Sequence, residues 1–239
     1  MPTSPIATSP TDTAATATAA SGGAASGGAV SGGAVSGGAV SDEAVECVVL
    51  VDDDGRAVGT MPKAAVHTRE TPLHLAFSCY AFDRRRRLLI TRRAESKATW
   101  PGVWTNTCCG HPAPGEPVQT AVARRLRQEL GLSALVLVPV LPLFRYRAVM
   151  DNGIVENEIC PVFVAVVSDV PSPDPAEVAT TRWVDWKGFR DLATAPRPSA
   201  ATISPWAREQ VAELAHLGAA PDDWPVDADR ERLTRLFDA

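Results

Sequence analysis

Residues 1–41 are built almost wholly of Ala, Ser, Thr and Gly, with a five-residue repeat: SGGAA at Ser21, then SGGAV at Ser26, Ser31 and Ser36. Side chains this small bury too little apolar surface to offset the entropy lost on ordering, so the stretch is expected to be a flexible leader, not a solenoid. Any core must therefore come from the rest of the chain. The expected organisation is a leader over 1–43, one globular domain over 44–218, and an extension over 219–239 that forms a short amphipathic helix or frays.

Composition agrees with a single folded domain. Of 239 residues, 45% are hydrophobic and 21% charged, which excludes a wholly disordered or fibrous chain. The longest apolar run, near Val162–Val167, suits a buried strand and falls well short of the roughly 18 residues of a membrane span. No Lys or Arg precedes Arg56, so a secretory n-region and an Arg-rich transit peptide are both lacking, and a cytoplasmic location is expected. Five cysteines (Cys47, Cys79, Cys108, Cys109 and Cys160) make an odd, sparse set that reads as reduced thiols.

The net charge of −5 argues against nucleic-acid binding. Yet Lys63 to Glu129 holds twelve Lys/Arg against five Asp/Glu, a basic region that suits a small anionic ligand. Four of those charges, Arg84 to Arg87, read as a solvated hairpin tip, since no aromatics interleave them.

Strand-forming runs are predicted at 46–51, 73–82, 87–91, 135–140, 143–149, 155–167 and 181–185, with Pro161 marking an edge or bulge. Between them, 94–114 reads as a long polar loop, and loops of that length in compact domains are usually functional. Apolar residues at Val118, Val122, Leu126 and Leu130 place one stripe on a helix over 117–130, closed by Gly131. Further helices are predicted over 187–192 and 204–217, the latter N-capped by Ser204 with Pro205 in its first turn.

His67, His74 and His111 fall within 45 positions of one another, and Glu156 and Glu158, two apart on a predicted strand, face the same way. Three imidazoles and two carboxylates suit a divalent cation such as Mn²⁺, Mg²⁺ or Zn²⁺ better than a closed structural zinc site. On spacing alone, scattered surface histidines and solvated glutamates remain an equal alternative. Cys109 stands out from the other thiols because it lies in the polar loop, two residues before His111. Cys47, Cys79 and Cys160, in strand runs, and Cys108 beside it read as ordinary hydrophobes, and His216 in the last helix as structural.

Gly110, Glu116, Arg124, Leu126, Glu129, Gly131 and Leu132 resemble the Nudix box, G-x5-E-x7-R-E-U-x-E-E-x-G-U, with two departures: Arg125 and Gln128 stand where the box has glutamates. Together with TRRAESKATWPGVWTNTCCGHP (Thr91–Pro112), FRYRA (Phe144–Ala148), GIVENEICPVF (Gly153–Phe163) and SPW (Ser204–Trp206), the chain closely resembles the type I isopentenyl-diphosphate isomerases over about Ala44–Leu217.

That resemblance implies an α+β Nudix-like mixed sheet flanked by helices. It also implies an enzyme that interconverts isopentenyl and dimethylallyl diphosphate by protonation and deprotonation. By the same resemblance, His67, His74, His111, Glu156 and Glu158 hold one divalent metal. Glu129, with the Cys109 carbonyl, holds a Mg²⁺ that bridges the substrate. Lys63, Arg93 and Lys97 contact the diphosphate, and Arg125, one helical turn before Glu129, joins them. Cys109 and Glu158 become the catalytic pair, Glu158 donating and Cys109 accepting a proton in the forward direction, with a thiolate at Cys109 among the negative charges that steady the cation. Tyr146 hydrogen-bonds Glu158, and Trp206 lends an aromatic face to the carbocation. Beyond the small prenyl diphosphate no nucleic-acid or membrane partner is expected, and the chain is expected to be a monomer. The alternatives are a Nudix hydrolase of nucleoside or prenyl diphosphates, and a catalytically dead diphosphate-binding protein.

Overall fold

The turn Asp52–Gly55 is built by an aspartate and a glycine. Asp52 Oδ1 accepts the amides of Asp54 and Arg56 at 3.0 and 2.8 Å, and Gly55 takes φ 78°, where a side chain would be strained. This turn joins β1 (Cys47–Val51) to β2 (Ala57–Pro62), antiparallel, and one helical turn, α1 (Lys63–Val66), follows. Neither β2 nor α1 is marked by periodicity in the sequence. The computed structural model describes residues 45–196 and 203–224. The expected leader and all but the start of the C-terminal extension lie outside them.

Two predicted strands are each bent into two. The run 73–82 divides into β3 (His74–Leu75) and β4 (Phe77–Phe82), and the run 155–167 forms two later strands separated by Cys160 and Pro161. Between these runs come β5 (Arg87–Arg93), β6 (Trp104–Thr105), β7 (Cys108–Gly110), α2 (Val118–Leu130), β8 (Ala134–Leu141) and β9 (Arg145–Val149). The loop expected over 94–114 thus contains two short strands, and Cys109 lies on one of them. The chain continues as β10 (Val155–Ile159), β11 (Val162–Val167), β12 (Val178–Asp185), α3 (Trp186–Thr194) and α4 (Pro205–Leu217).

The bent runs lie side by side. β3 pairs parallel with β10 in a sheet of order β2-β1-β3-β10-β9, and β4 pairs parallel with β11 in a second sheet, β12-β5-β4-β11-β8, to which β6 and β7 attach. At the crossing, Ala76 N–H donates to Ile159 O (2.9 Å) and Ser78 N–H to Pro161 O (3.0 Å). Proline has no amide to donate, which suits the point where one ladder ends and the other begins. The expected mixed sheet is therefore two mixed sheets.

The central strands of the second sheet, β4 and β11, are buried on both faces. Phe77, Cys79 and Ala81 of β4 pack with Ala121, Val122, Leu126 and Leu130 of α2, while Tyr80 and Phe82 pack on the α3/α4 side with Phe189, Val211 and Leu214. Each fully buried Leu or Phe contributes roughly 1.5–3 kcal/mol. Gly131 closes α2 at φ 66°, its amide on Arg127 O and that of Leu132 on Leu126 O. Ser204 does precede α4, but its hydroxyl shares a 2.8 Å hydrogen bond with Thr105 and makes no cap, because the helix start is packed against β6. Trp224, beyond the expected domain end, is buried edge-on against Trp186, with ring centroids 4.6 Å apart. At the arginine-rich tip Arg84 and Arg85 are exposed, whereas Arg86 pairs with Asp222 at 2.8 Å.

Candidate active site

His74 and Glu158 face each other in register on the parallel strands β3 and β10, and two loops bring His67 and His111 beside them. One donor atom from each of the four lies within 4.8 Å of all the others, and the imidazole centroids are 5.1–5.8 Å apart. Pro72 O lies 2.9 Å from His74 Nδ1, turning Nε2 toward Glu158 Oε1 at 3.4 Å; His111 Nε2 reaches the same oxygen at 3.3 Å. Three buried nitrogens, His67 Nε2, His74 Nε2 and His111 Nδ1, lack a hydrogen-bond partner. Three imidazoles grouped with one carboxylate, with three buried ring nitrogens unpartnered among the described residues, are the arrangement a divalent ion would satisfy.

The electrostatics fit that reading. Burial, reinforced by the neighbouring His111, pushes His67 down to about 4, and burial also lowers His111. Both are thus neutral, as metal binding requires. His74 is raised, since contact with Glu158 outweighs its burial. Burial alone would raise Glu158, but His111 and His74 hold it well below the usual carboxylate range.

Glu156 shares a strand face with Glu158 but lies outside the four-residue group. Its Oε2 accepts from the Tyr146 hydroxyl at 2.6 Å. This corrects the expectation that Tyr146 binds Glu158. The two are paired in register, yet Glu158 is occupied by imidazoles, and the long phenol reaches its diagonal neighbour instead. Burial, followed by the charge of Glu158, raises Glu156 to about 7. Two nearby buried carboxyls cannot both ionise freely, so as the pH falls below neutral the pair takes up its proton on Glu156 while Glu158 stays ionised.

Cys109, on β7, is paired in register with Ser78 of β4. Its Sγ donates to Asn106 Oδ1 at 3.2 Å and lies 3.3 Å from Ser78 Oγ. Burial pushes the thiol up to about 12, more than its contacts with Ser78 and Asn106 offset. The expected thiolate is therefore a thiol in the metal-free chain. Cys79 and Cys108 are buried and raised further by the same desolvation, and Cys160 is buried at the sheet crossing, not within a strand.

A cavity of about 510 Å³ opens onto these groups. Cys109, Glu156, Glu158, Tyr146 and Trp206 line it, as do Lys63, Arg93, Lys97 and Arg125. Each cation is held in place. Lys63 bonds Glu46 at 3.0 Å, Lys97 pairs with Glu177, and the Arg93 guanidinium donates to Thr99 O at 2.9 Å while lying 5.5 Å from the Trp206 ring centroid. Arg125 bridges Glu129 (2.5 Å) and Glu177 (3.1 Å). Lys97 and Arg125 hold Glu177 down to about 2 against its partial burial, while burial raises Glu129. Glu129 is not part of the histidine group. It borders a small recess shared with Cys109, Lys97 and Arg93. His216 is exposed on α4.

Sequence reasoning does not single out Glu46, Glu177, Asn106, Ser78 or Gln210. Glu46 and Glu177 lie in separate segments, and no spacing rule links either to its cation. Asn106 and Ser78 are polar residues amid strand formers and are fully buried. Gln210, on α4, is also fully buried, a position its helical neighbours alone do not reveal.

Comparison with known proteins places this geometry. The NUDIX domain family matches residues 72–207. DR0079 from Deinococcus radiodurans has the same fold, with a TM-score of 0.55 over 70% of this chain and 98% of that one at 18% identity. The chain belongs to the Nudix family. It is 59% identical over 182 residues to an isopentenyl-diphosphate Delta-isomerase of Saccharopolyspora erythraea, covering 76% of this chain and 92% of that protein. It is 55% identical over 181 residues to one of Mycolicibacterium vanbaalenii (76% and 98%) and 49% identical over 194 residues to one of Rhizobium rhizogenes (81% and 91%). Within the Nudix family it is thus a member of the isopentenyl-diphosphate Delta-isomerases.

Proposed function

We infer that the chain is an isopentenyl-diphosphate Delta-isomerase that moves the double bond of a five-carbon diphosphate by adding a proton at one carbon and removing one at another. The observation that carries this reading is a single cavity lined by the Cys109 thiol, the Glu158 carboxylate and four fixed cations. The cations suit a diphosphate, the apolar and aromatic surfaces of Tyr146 and Trp206 suit a prenyl tail, and the thiol and carboxylate supply two proton handlers.

Double-bond migration in isopentenyl diphosphate needs a proton on the terminal carbon and the loss of one from C2. We assign the first step to Glu158 and the second to Cys109. Glu156, held on the same strand face by the Tyr146 hydroxyl, stands beside Glu158. Cys109, a thiol before turnover, would pass its proton to the Glu158 carboxylate, Glu158 would deliver it to the terminal carbon, and the thiolate left behind would take the C2 proton, so both groups return to their starting state and the reverse direction uses them in exchanged roles. The tertiary cation between the two steps is stabilised by the fixed carboxylates in a water-poor site. The Trp206 face adds roughly 0.5–2 kcal/mol, a small share of the 8–23 kcal/mol by which enzymes lower barriers.

We propose that His67, His74, His111 and Glu158 hold one divalent ion (Mn²⁺, Mg²⁺ or Zn²⁺), with Glu156 closing the site from the same strand face. Glu129 and the Cys109 carbonyl would hold a Mg²⁺ that the substrate diphosphate completes. Such ions supply positive charge that fixes Glu158 and neutralises the diphosphate. The hydrolase alternative is disfavoured by the altered box. Arg125 and Gln128 occupy glutamate positions of the box and supply no carboxylate there, and Gln128 accepts from Arg124 at 3.2 Å. Incubation with isopentenyl diphosphate in deuterated water tests the reading. Isomerisation puts deuterium into the prenyl group with no phosphate or pyrophosphate released, whereas release without deuterium would overturn it.

A further inference from the structure

Two of the residues assigned to the chemistry, Cys109 on β7 and Trp206 on α4, hang from one atom. Asn106 Oδ1 accepts from Cys109 Sγ at 3.2 Å and from Trp206 Nε1 at 3.1 Å, with Thr105 Oγ1 as a third donor at 2.8 Å. The orientation of this amide is fixed by its other end, where Nδ2 donates to the carbonyls of Cys79 and Cys108, both at 3.0 Å. A flipped amide would set its oxygen against two carbonyl oxygens and its nitrogen against two N–H or O–H donors, so only one orientation is satisfied. Asn106 is fully buried and is not among the residues lining the cavity. It can act on substrate only through the side chains it holds.

We propose that Asn106 is a positioning residue for the isomerisation, its carboxamide oxygen holding the Cys109 thiol and the Trp206 indole in register across the β7–α4 junction. This rests on the isomerase reading and on Cys109 as the group that handles the C2 proton. The chemistry asks for such a device. C2 carries two hydrogens, and a base fixed on one side of the carbon removes only one of them, while a thiol free to rotate about its Cα–Cβ bond reaches both. Misplacement by about 1 Å can cost on the order of a hundredfold in rate. The second contact to the thiol, Ser78 Oγ, is itself held by Gln210 Nε2 (2.9 Å), and Gln210 Oε1 by Tyr80 (3.0 Å). That chain ties the sulfur to α4 one helical turn from Trp206, but among the described residues only Asn106 hydrogen-bonds both the thiol and the indole.

The test is the stereochemistry of deuterium at C2 of the isopentenyl diphosphate that the full-length protein forms from dimethylallyl diphosphate in deuterated water, read by NMR. The wild type is expected to label one C2 position only. Asn106→Ala is expected to lose at least tenfold in kcat with KM changed less than about threefold, and to scramble the C2 label. Should the Ala variant not fold, Asn106→Ser carries the same expectation, since its hydroxyl can still serve a backbone carbonyl but is too short to reach Sγ. A merely structural role lowers the active fraction and leaves the label on one position. Single-position labelling in the folded Ala or Ser variant would therefore overturn the proposal while leaving the isomerase reading intact. A wild type that places no deuterium in the prenyl group would overturn both.

Discussion

Tyr146 sits directly across the β9–β10 ladder from Glu158, yet its hydroxyl donates to Glu156 at 2.6 Å. The ladder thus sorts two chemically identical carboxyls two residues apart. Glu158 is bound by imidazoles and stays ionised, and Glu156 is capped by a phenol and retains a proton. The consequences can be measured.

Glu156 titrates near 7 in the folded, metal-free protein, against an ordinary value of 4.5. An acid whose folded pKa is raised binds more protons folded than unfolded between those values, so its contribution to stability falls as pH rises from 4.5 to 7. His67, lowered to about 4, opposes this over much of the same window, so the comparison must be between variants. Metal-free wild type is expected to lose stability relative to Glu156→Gln as pH rises from 4.5 to 7, by about 3 kcal/mol at most. Urea denaturation at pH 4.5, 5.5 and 7 checks it, and a constant difference would contradict the assignment.

Arg125 and Glu129 are one helical turn apart and both nearly buried. Removing one partner of such a pair strands the other charge, so Arg125→Met is expected to cost about 3–5 kcal/mol, and the double variant with Glu129→Leu clearly less than Arg125→Met alone. Denaturant midpoints of the three variants decide this. Equal losses in the single and double variants would mean that the pair is not coupled.

The orphaned imidazole nitrogens predict a bound ion that stabilises the fold. Chelation is expected to lower the thermal midpoint and abolish isomerisation, and readdition of Mn²⁺, Mg²⁺ or Zn²⁺ singly to restore both to differing extents. His67→Ala should lower the metal content found by elemental analysis, while His216→Ala, on an exposed position of α4, should not.

Much of this site is legible in the amino-acid sequence because its parts are local. The α2 stripe, Gly131 and the altered box follow from four-residue spacing, and Glu156 and Glu158 share a face because strands alternate. Long-range choices are not legible. Whether 73–82 and 155–167 are single strands depends on the crossing at Ala76 and Pro161, where the two sheets meet, and no periodicity within either run encodes that partner. The partner of Tyr146 escapes sequence reasoning for a related reason. Strand pairing gives the neighbour in register, while the imidazoles that occupy Glu158 come from β3 and from the segment after β7. Ser204 follows the helix-start pattern correctly in position, but its hydroxyl is taken by Thr105, some hundred residues away in sequence.

The most direct test of the account replaces the two proton handlers one at a time. Cys109→Ala and Glu158→Gln, assayed with isopentenyl diphosphate in deuterated water, are each expected to lose isomerisation by at least a thousandfold while still folding and binding the diphosphate. Wild-type rates of deuterium incorporation in either variant would remove that residue from the chemistry and contradict the mechanism.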